Sequence, residues 1–575
     1  MLSVFSSTGR MPKQRTVYLM AAAGLLVFLI LQVILPLAAP ESLVQLKKTI
    51  TKQEAAEIAA EFAGSTLGLP VPPDDALVTY DTRSDIYGYL SREKLMNTYM
   101  KDYDEQFPLE FFRVRFERPD DVLSALTIDV NMYGGRVAGF ERIVTYSNAT
   151  KELLLEQSIQ SGRELQWLES RLTSAEKEGL AEPYLAAFGF DPAKLTVKNA
   201  PKEAGLVYEV SGYEAGESRG QIEFHFEDDA VSSMQAYFAP PAAHKEYVKG
   251  QQTLANWFTW AGYALFSFVL GILAIIYSAR TRPYSSFLRG LVLSSVYFVF
   301  SLAGAINMLP MLKKDGMGDG ILIAGYIVQG IVTLIISASI YFSLVGGDGL
   351  WRQQGRNLWS RAKEPGYGRH VMLSMKNGYL WALILLGAQA IIFFILERSI
   401  GTWSTTDASQ SAYNMLYPVL FPLLAWVAGI GEEAVYRLFG IPMLKKIFRS
   451  TFVASLLSSL IWALGHSLYP IYPVYSRPIE LTIIGLLFSF VFLRYGYITA
   501  MFTHVVFNSI LMSFSLMLMG GTLNLAAGVL YIALPAIVAY VIYLFNPPGR
   551  SGSAPPVQYK KEEPPFTTPR PEGHL

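Results

Sequence analysis

The chain has 575 residues, of which 51% are hydrophobic, 13% aromatic and only 16% charged. A soluble domain normally carries charge on about a quarter of its residues, so this deficit argues against a purely soluble protein, and the length calls for several modules. Lys plus Arg and Asp plus Glu both count 47, which lacks the basic excess of a nucleic-acid-binding protein. The absence of cysteine excludes disulfides, thiolate nucleophiles and Cys-based zinc sites.

A membrane-spanning helix needs about 20 mainly apolar residues. The first such run extends from Val17 to about Leu37, after Arg10, Lys13 and Arg15. Its start is therefore expected on the cytoplasmic side, with 1–15 a cytoplasmic N-terminus and 16–39 an anchor. Leu37-Ala38-Ala39 resembles a processing site, but the run is longer than a signal peptide's apolar region and Pro40 follows. An uncleaved anchor is expected.

Residues 40–255 have mixed charge and no span, and are expected to form an extracytoplasmic domain of two similar units, about 45–145 and 165–240. The first opens with an amphipathic helix over 51–67, with Thr51 as N-cap and Glu54 completing a capping box. Alternating stretches at 111–116 and 126–131 follow, and the turn Tyr133-Gly134-Gly135 leads into 137–144. The second unit repeats this order: a helix over 173–188 with Thr173 and Glu176, then strands at 208–211, 221–226 and 230–238. Helix followed by antiparallel strands, twice, is an α+β pattern. It resembles PepSY-type domains, and a generic binding or spacer domain fits the same pattern. His225 lies in an alternating stretch and reads as structural.

Apolar stretches return at 256–278, 287–312, 321–346, 378–397, 414–443, 452–472, 479–497, 498–518 and 521–545. With the first span they predict a polytopic α-helical membrane protein of about ten transmembrane helices, the α+β domain inserted after the first. Residues 256–397 hold the second to fifth spans and 414–545 a membrane core. Positive residues alternate as this requires: Arg280, Arg282, Arg352, Arg356, Arg361, Lys363, Arg369, Lys376, Lys445, Lys446, Arg449 and Arg494 fall inside, and Lys313, Lys314 and Arg477 outside. Both termini are then cytoplasmic in a multi-pass cell-membrane protein. The Pro-rich, charged tail 546–575 is expected to be disordered.

Ionisable groups within a span are costly and mark function by default. Between 414 and 545 the only acidic residues are Glu432, Glu433 and Glu480, and the only histidines His466 and His504. Glu480 is expected near the surface at a helix start. Glu433 and Arg437 are four apart on one helical face and can pair. Glu432 points about 100° away without that partner, so it must find water, histidine or metal, as suits a general base. A structural polar cluster that locks helix packing is the competing account. Trp462 shares a face with His466, and Asn508 with His504. Counted from the shared basic turn at a rise of 1.5 Å per residue, Glu432 and His466 both lie about 20 Å deep and His504 about 15 Å. The three can meet within the bilayer.

These residues resemble the CPBP family of CAAX-protease and bacteriocin-processing (Abi) intramembrane peptidases. Its Glu-Glu-x-x-x-Arg motif matches Glu432, Glu433 and Arg437. Phe-x-x-x-His matches at His466 with Trp462 in place of Phe, a change expected to alter packing more than chemistry. His-x-x-x-Asn/Asp matches His504 and Asn508. The matching core covers about 415–515. The resemblance implies a water-filled intramembrane cavity and hydrolysis of a peptide or membrane-protein substrate. Carried over, Glu432 activates water, and His466 orients it or binds metal. His504 and Asn508 stabilise the oxyanion or complete a metal site, and Glu433 and Arg437 support the geometry. Glu432, His466 and His504 could hold zinc or another divalent ion with one open position, while a metal-free glutamate mechanism has been argued for eukaryotic-type members. The alternatives are a non-catalytic membrane scaffold or sensor whose outer domain binds a partner, and a transporter using the buried charges as a proton relay, for which no inverted repeat is evident.

Overall fold

The computed structural model describes residues 12–38, 49–117, 123–144, 172–198, 205–227, 230–314, 316 and 318–547. Arg10, Pro40 and the tail from 548 onward lie outside these residues. Among the described residues nine helices are long and apolar enough to cross a membrane: Gln14–Ile34, Ala242–Arg280, Phe287–Asn307, Asp319–Gln353, Tyr367–Ile400, Pro418–Phe448, Ser476–Tyr495, Tyr497–Leu518 and Thr522–Phe545. The fold is thus polytopic and helical, with an α+β domain early in the chain.

The stretch expected to span at 452–472 departs from this pattern. It is helical only over Thr451–Leu464, about 21 Å of rise against a hydrocarbon core of about 30 Å. The chain then runs through turns at 465–470 and a two-residue strand, β10 (Ile471–Tyr472), paired with β9 (Trp403–Ser404). Irregular backbone at such depth survives only where protein or a water-filled cavity covers it, and this segment borders a cavity. Glu480 is also corrected: it is fully buried, bonded by Arg477 Nη1 at 2.8 Å and Gln389 Nε2 at 2.9 Å. Position at a helix start gave no sign of the neighbouring helix that encloses it.

Helix contacts exploit small residues. Gly24 of the first helix meets the Tyr367–Ile400 helix beside Gly387, so closely that a Cβ on Gly24 would stand 2.4 Å from the Leu383 carbonyl oxygen. Such positions let helix backbones approach in lipid, where apolar burial gives little drive. At one end of the bundle Asp348, 2% exposed, gathers Arg289 at 2.9 Å, Arg352 at 3.0 Å and Arg361 at 3.8 Å.

At the other end sits an eight-stranded antiparallel sheet in the order β1-β2-β3-β4-β8-β7-β6-β5. Its strands are β1 (Leu77–Thr82), β2 (Glu110–Glu117), β3 (Leu123–Asn131), β4 (Val137–Val144), β5 (Leu195–Lys198), β6 (Leu206–Ala215), β7 (Ser218–Glu227) and β8 (Ala230–Ala239). Two four-strand meanders therefore join edge to edge at β4 and β8. Each is preceded by a helix, Lys52–Ser65 or Ser174–Ala187, and both helices carry complete capping boxes, from Thr51 with Glu54 and Thr173 with Glu176. The outer strands β1 and β5 were not legible in the sequence, since both are short and only partly buried. His225 lies in β7, half exposed and 3.4 Å from Glu223.

The sheet docks on the membrane helices through its β1 edge. The Asn414 side chain accepts from Tyr80 N at 2.7 Å and donates to Tyr80 O at 2.8 Å, as a neighbouring strand would. Lys314 bonds Asp81 at 2.6 Å, and Asp81 in turn pairs with Arg113. An edge satisfied in this way is closed to other strands.

Gly24→Leu should wedge the first helix from its neighbour and cost about 1–3 kcal/mol. It is expected to lower the thermal midpoint of the purified protein in detergent. An unchanged midpoint would disprove the close crossing.

Candidate active site

The candidate residues converge because three local structures aim them at one point. Glu432 ends the α-helix Leu424–Glu432, and a π-helical stretch, Glu433–Gly440, follows. Such wide turns occur mostly as single-turn bulges inside α-helices, frequently at functional sites. Pro442 lies just beyond and has no N–H to give the Leu438 carbonyl; Trp351 Nε1 donates to it instead, at 2.9 Å. Ser458 Oγ likewise donates to the Tyr436 carbonyl.

Glu433 and Arg437 are both completely buried and paired at 3.0 Å. The same Glu433 oxygen, Oε1, lies 2.8 Å from His504 Nδ1. A carboxylate paired with arginine only accepts, so Nδ1 carries the proton. His504 Nε2 then faces Glu432, whose Oε2 is 3.7 Å away. Aromatic rings enclose this cluster. The Arg437 guanidinium lies 4.5 Å from the Trp462 ring and 5.2 Å from Phe488, and Phe488 stacks on His504 at 4.6 Å.

Glu432 differs from its neighbour in having access. Its side chain is 28% exposed against 0% for Glu433, and it lines a cavity of about 780 Å³ inside the bundle. His466, His504 and Asn508 line the same cavity. All four expected groups thus share one space, with Glu433 and Arg437 behind them. His466 is not on a helical face as expected. It lies in the turn beyond Leu464, with Nδ1 3.1 Å from the Trp462 carbonyl.

Trp462 also corrects an expectation. Its indole N–H donates to Glu432 Oε2, which phenylalanine could not do, so the change from Phe bears on the candidate base directly. Sequence reasoning missed Tyr263, Tyr469 and Arg477, which line the cavity too. Among the described residues Arg477 is the only Lys or Arg in that lining, and Glu432 the only carboxylate. Nothing in local spacing singles these out, because their place depends on distant helices.

Among the described residues no group of three His, Asp or Glu could hold a metal ion. His504 Nδ1 is engaged by Glu433 and His466 Nδ1 faces a carbonyl, so each imidazole keeps its Nε2, while Trp462 covers one oxygen of Glu432. No step below is routed through a metal.

Residues 414–510 match the family of type II CAAX prenyl endopeptidase Rce1-like proteins. The sporulation-killing factor biosynthesis protein SkfC of Bacillus subtilis (strain 168) is 23% identical over 261 residues, which cover 43% of this chain and 45% of that protein. The chain spans about half the length of that relative. No solved structure matches it.

Arg437→Met would leave Glu433 buried without its cation, a loss of about 3–5 kcal/mol. Thermal unfolding in detergent should show it as a large fall in midpoint, whereas Glu432→Gln, at a partly exposed position, should shift the midpoint little. Equal midpoints for Arg437→Met and wild type would show that the pair does not hold the helices.

Proposed function

From the premise that residues 414–510 form an Rce1-like domain, we propose that the protein is an intramembrane endopeptidase that hydrolyses a peptide or membrane-protein substrate. One observation carries the reading: a partly exposed carboxylate, Glu432, stands in a cavity inside the bundle with an imidazole 3.7 Å away. A carboxylate kept accessible among apolar helices is costly unless it works.

In this reading a water enters beside Glu432. Trp462 holds Oε2, which leaves Oε1 to take the water proton as the oxygen attacks the scissile carbonyl. Asn508, one turn beyond His504, donates to the oxygen that becomes negative. His466 orients the water or the departing group. The proton on Glu432 passes to the leaving amine, so one water is consumed and a carboxylate and an amine are released. Glu433 does not touch the substrate; it fixes the His504 tautomer and is itself neutralised by Arg437. The low-dielectric surroundings strengthen each of these contacts.

The sheet domain is proposed to lie outside the cell, and both termini in the cytoplasm. The density of Lys and Arg at 352–376, at the end of the bundle away from the sheet, supports this orientation.

Loss of a general base should lower turnover about 100- to 10,000-fold. Comparative membrane proteomics of cells carrying wild type or Glu432→Gln should reveal a protein that stays uncut only with the variant, at equal abundance of the two forms in the membrane. Identical peptide patterns would remove Glu432 as the base. The chain has no cysteine, so single cysteines report orientation directly. Glu182→Cys in the sheet domain should react with an impermeant maleimide on intact cells, and Lys363→Cys only after lysis. The reverse pattern would invert the topology.

A further inference from the structure

We infer that Tyr469 and Arg477 form a brace that sets the position of His466, and so act on the proposed hydrolysis as positioning residues. The inference rests on the reading that His466 serves that reaction, but its geometric part can be tested without a substrate.

His466 needs outside support. The helix Thr451–Leu464 stops before it, and at His466 the backbone continues only as a turn, with its N–H donating to the Ala463 carbonyl at 3.0 Å, which places the backbone but not the ring. Its ring is tied by a hydrogen bond between Nδ1 and the Trp462 carbonyl, at 3.1 Å. That bond sets one ring atom but leaves the ring free to rock about it. Two rings limit the rocking. Trp462 meets the imidazole edge-on at 5.2 Å and 69°, and Tyr469 lies nearly parallel to it at 5.7 Å and 22°.

Tyr469 is itself on irregular backbone and is 39% exposed, so something must hold its ring over the histidine. The Arg477 guanidinium does so from 5.3 Å, in the arrangement by which cations favour the face of an aromatic ring. Arg477 is held in turn by Glu480, which is fully buried and bonded through its other oxygen to Gln389 on the Tyr367–Ile400 helix. A line of contacts therefore runs from that helix through Glu480, Arg477 and Tyr469 to the imidazole. It gives the buried Glu480 carboxylate a purpose, because a charge so enclosed is otherwise only a cost. Local pairing alone would not require Arg477 to line the same cavity as His466 and Glu432.

The test uses full-length protein in detergent, labelled with 13C at histidine Cε1. The six histidines allow the His466 signal to be identified by its loss in His466→Gln. Tyr469→Leu should move or broaden that signal and leave the His504 signal unchanged, while Tyr469→Phe, which keeps the ring, should leave it at the wild-type position. Tyr469 is 39% exposed, so both changes are expected to leave the fold intact. The double variant Arg477→Met with Glu480→Met removes both charges together, so no buried charge is left unpaired, and should disturb the His466 signal as Tyr469→Leu does. A His466 signal that coincides with wild type in Tyr469→Leu or in the double variant overturns the brace, whatever the outcome for Glu432→Gln.

Turnover provides the second readout, with a quenched fluorescent peptide bearing the cleavage site found by the Glu432→Gln comparison. Tyr469→Leu should lower kcat about tenfold to hundredfold, the scale of a small misplacement, with KM within about threefold. Added to His466→Ala, it should cost nothing more, because a residue acting only through His466 has no effect once that ring is gone. Full additivity of the two losses would refute the positioning role.

Discussion

The buried hydrogen-bonded triad of Arg437, Glu433 and His504 is the constraint on which the membrane core depends. Glu433 and Arg437 have no exposed surface, so neither charge is affordable without the other in that low-dielectric space. Their mutual attraction ties one turn of the Pro418–Phe448 segment to itself. The second bond, to His504 Nδ1, ties that segment to the Tyr497–Leu518 helix. Aromatic faces from Trp462 and Phe488 close over the cation, which adds the Thr451–Leu464 and Ser476–Tyr495 helices. A single neutralised carboxylate thus sets the relative position of four elements. It also orients the imidazole so that its second nitrogen is turned toward Glu432.

The accessible carboxylate beside that triad has a different role because of its surroundings. Adjacent in sequence, Glu432 and Glu433 are chemically identical. One is enclosed by cation and imidazole, the other opens on a cavity with an indole N–H on one oxygen. Irregular backbone makes room for this. The π-helical turns after Glu432 widen the helix beside the cavity, and the truncated helix before His466 is a departure that lipid would not allow; it borders the cavity.

The sheet domain is attached by polar contacts. Asn414 completes the β1 edge, and Lys314 joins Asp81 and Arg113 in a partly buried ion network. The loop that carries Asn414 also contributes Ser409 and Gln410 to the cavity wall. The rim of the candidate site and the edge of the sheet are therefore parts of one connected surface.

Much of this was legible in residue order alone. Apolar length set the spans, because lipid demands unbroken helices. Capping residues marked the helices at Thr51 and Thr173, and the rarity of charge in spans pointed to Glu432, Glu433, Arg437, His466, His504 and Asn508. Those signals are local or compositional, so they need no knowledge of neighbours. What residue order could not reveal is decided by distant partners. Glu480 is buried because Gln389 and Arg477 close around it, and Trp462 is a hydrogen-bond donor to Glu432 only because their helices adjoin. The 452–472 stretch is apolar enough to span yet stops being helical at Leu464, since a cavity rather than lipid meets it there. Apolar composition reports how much of a segment avoids water; only the packed structure decides whether lipid, protein or an internal cavity takes the water's place.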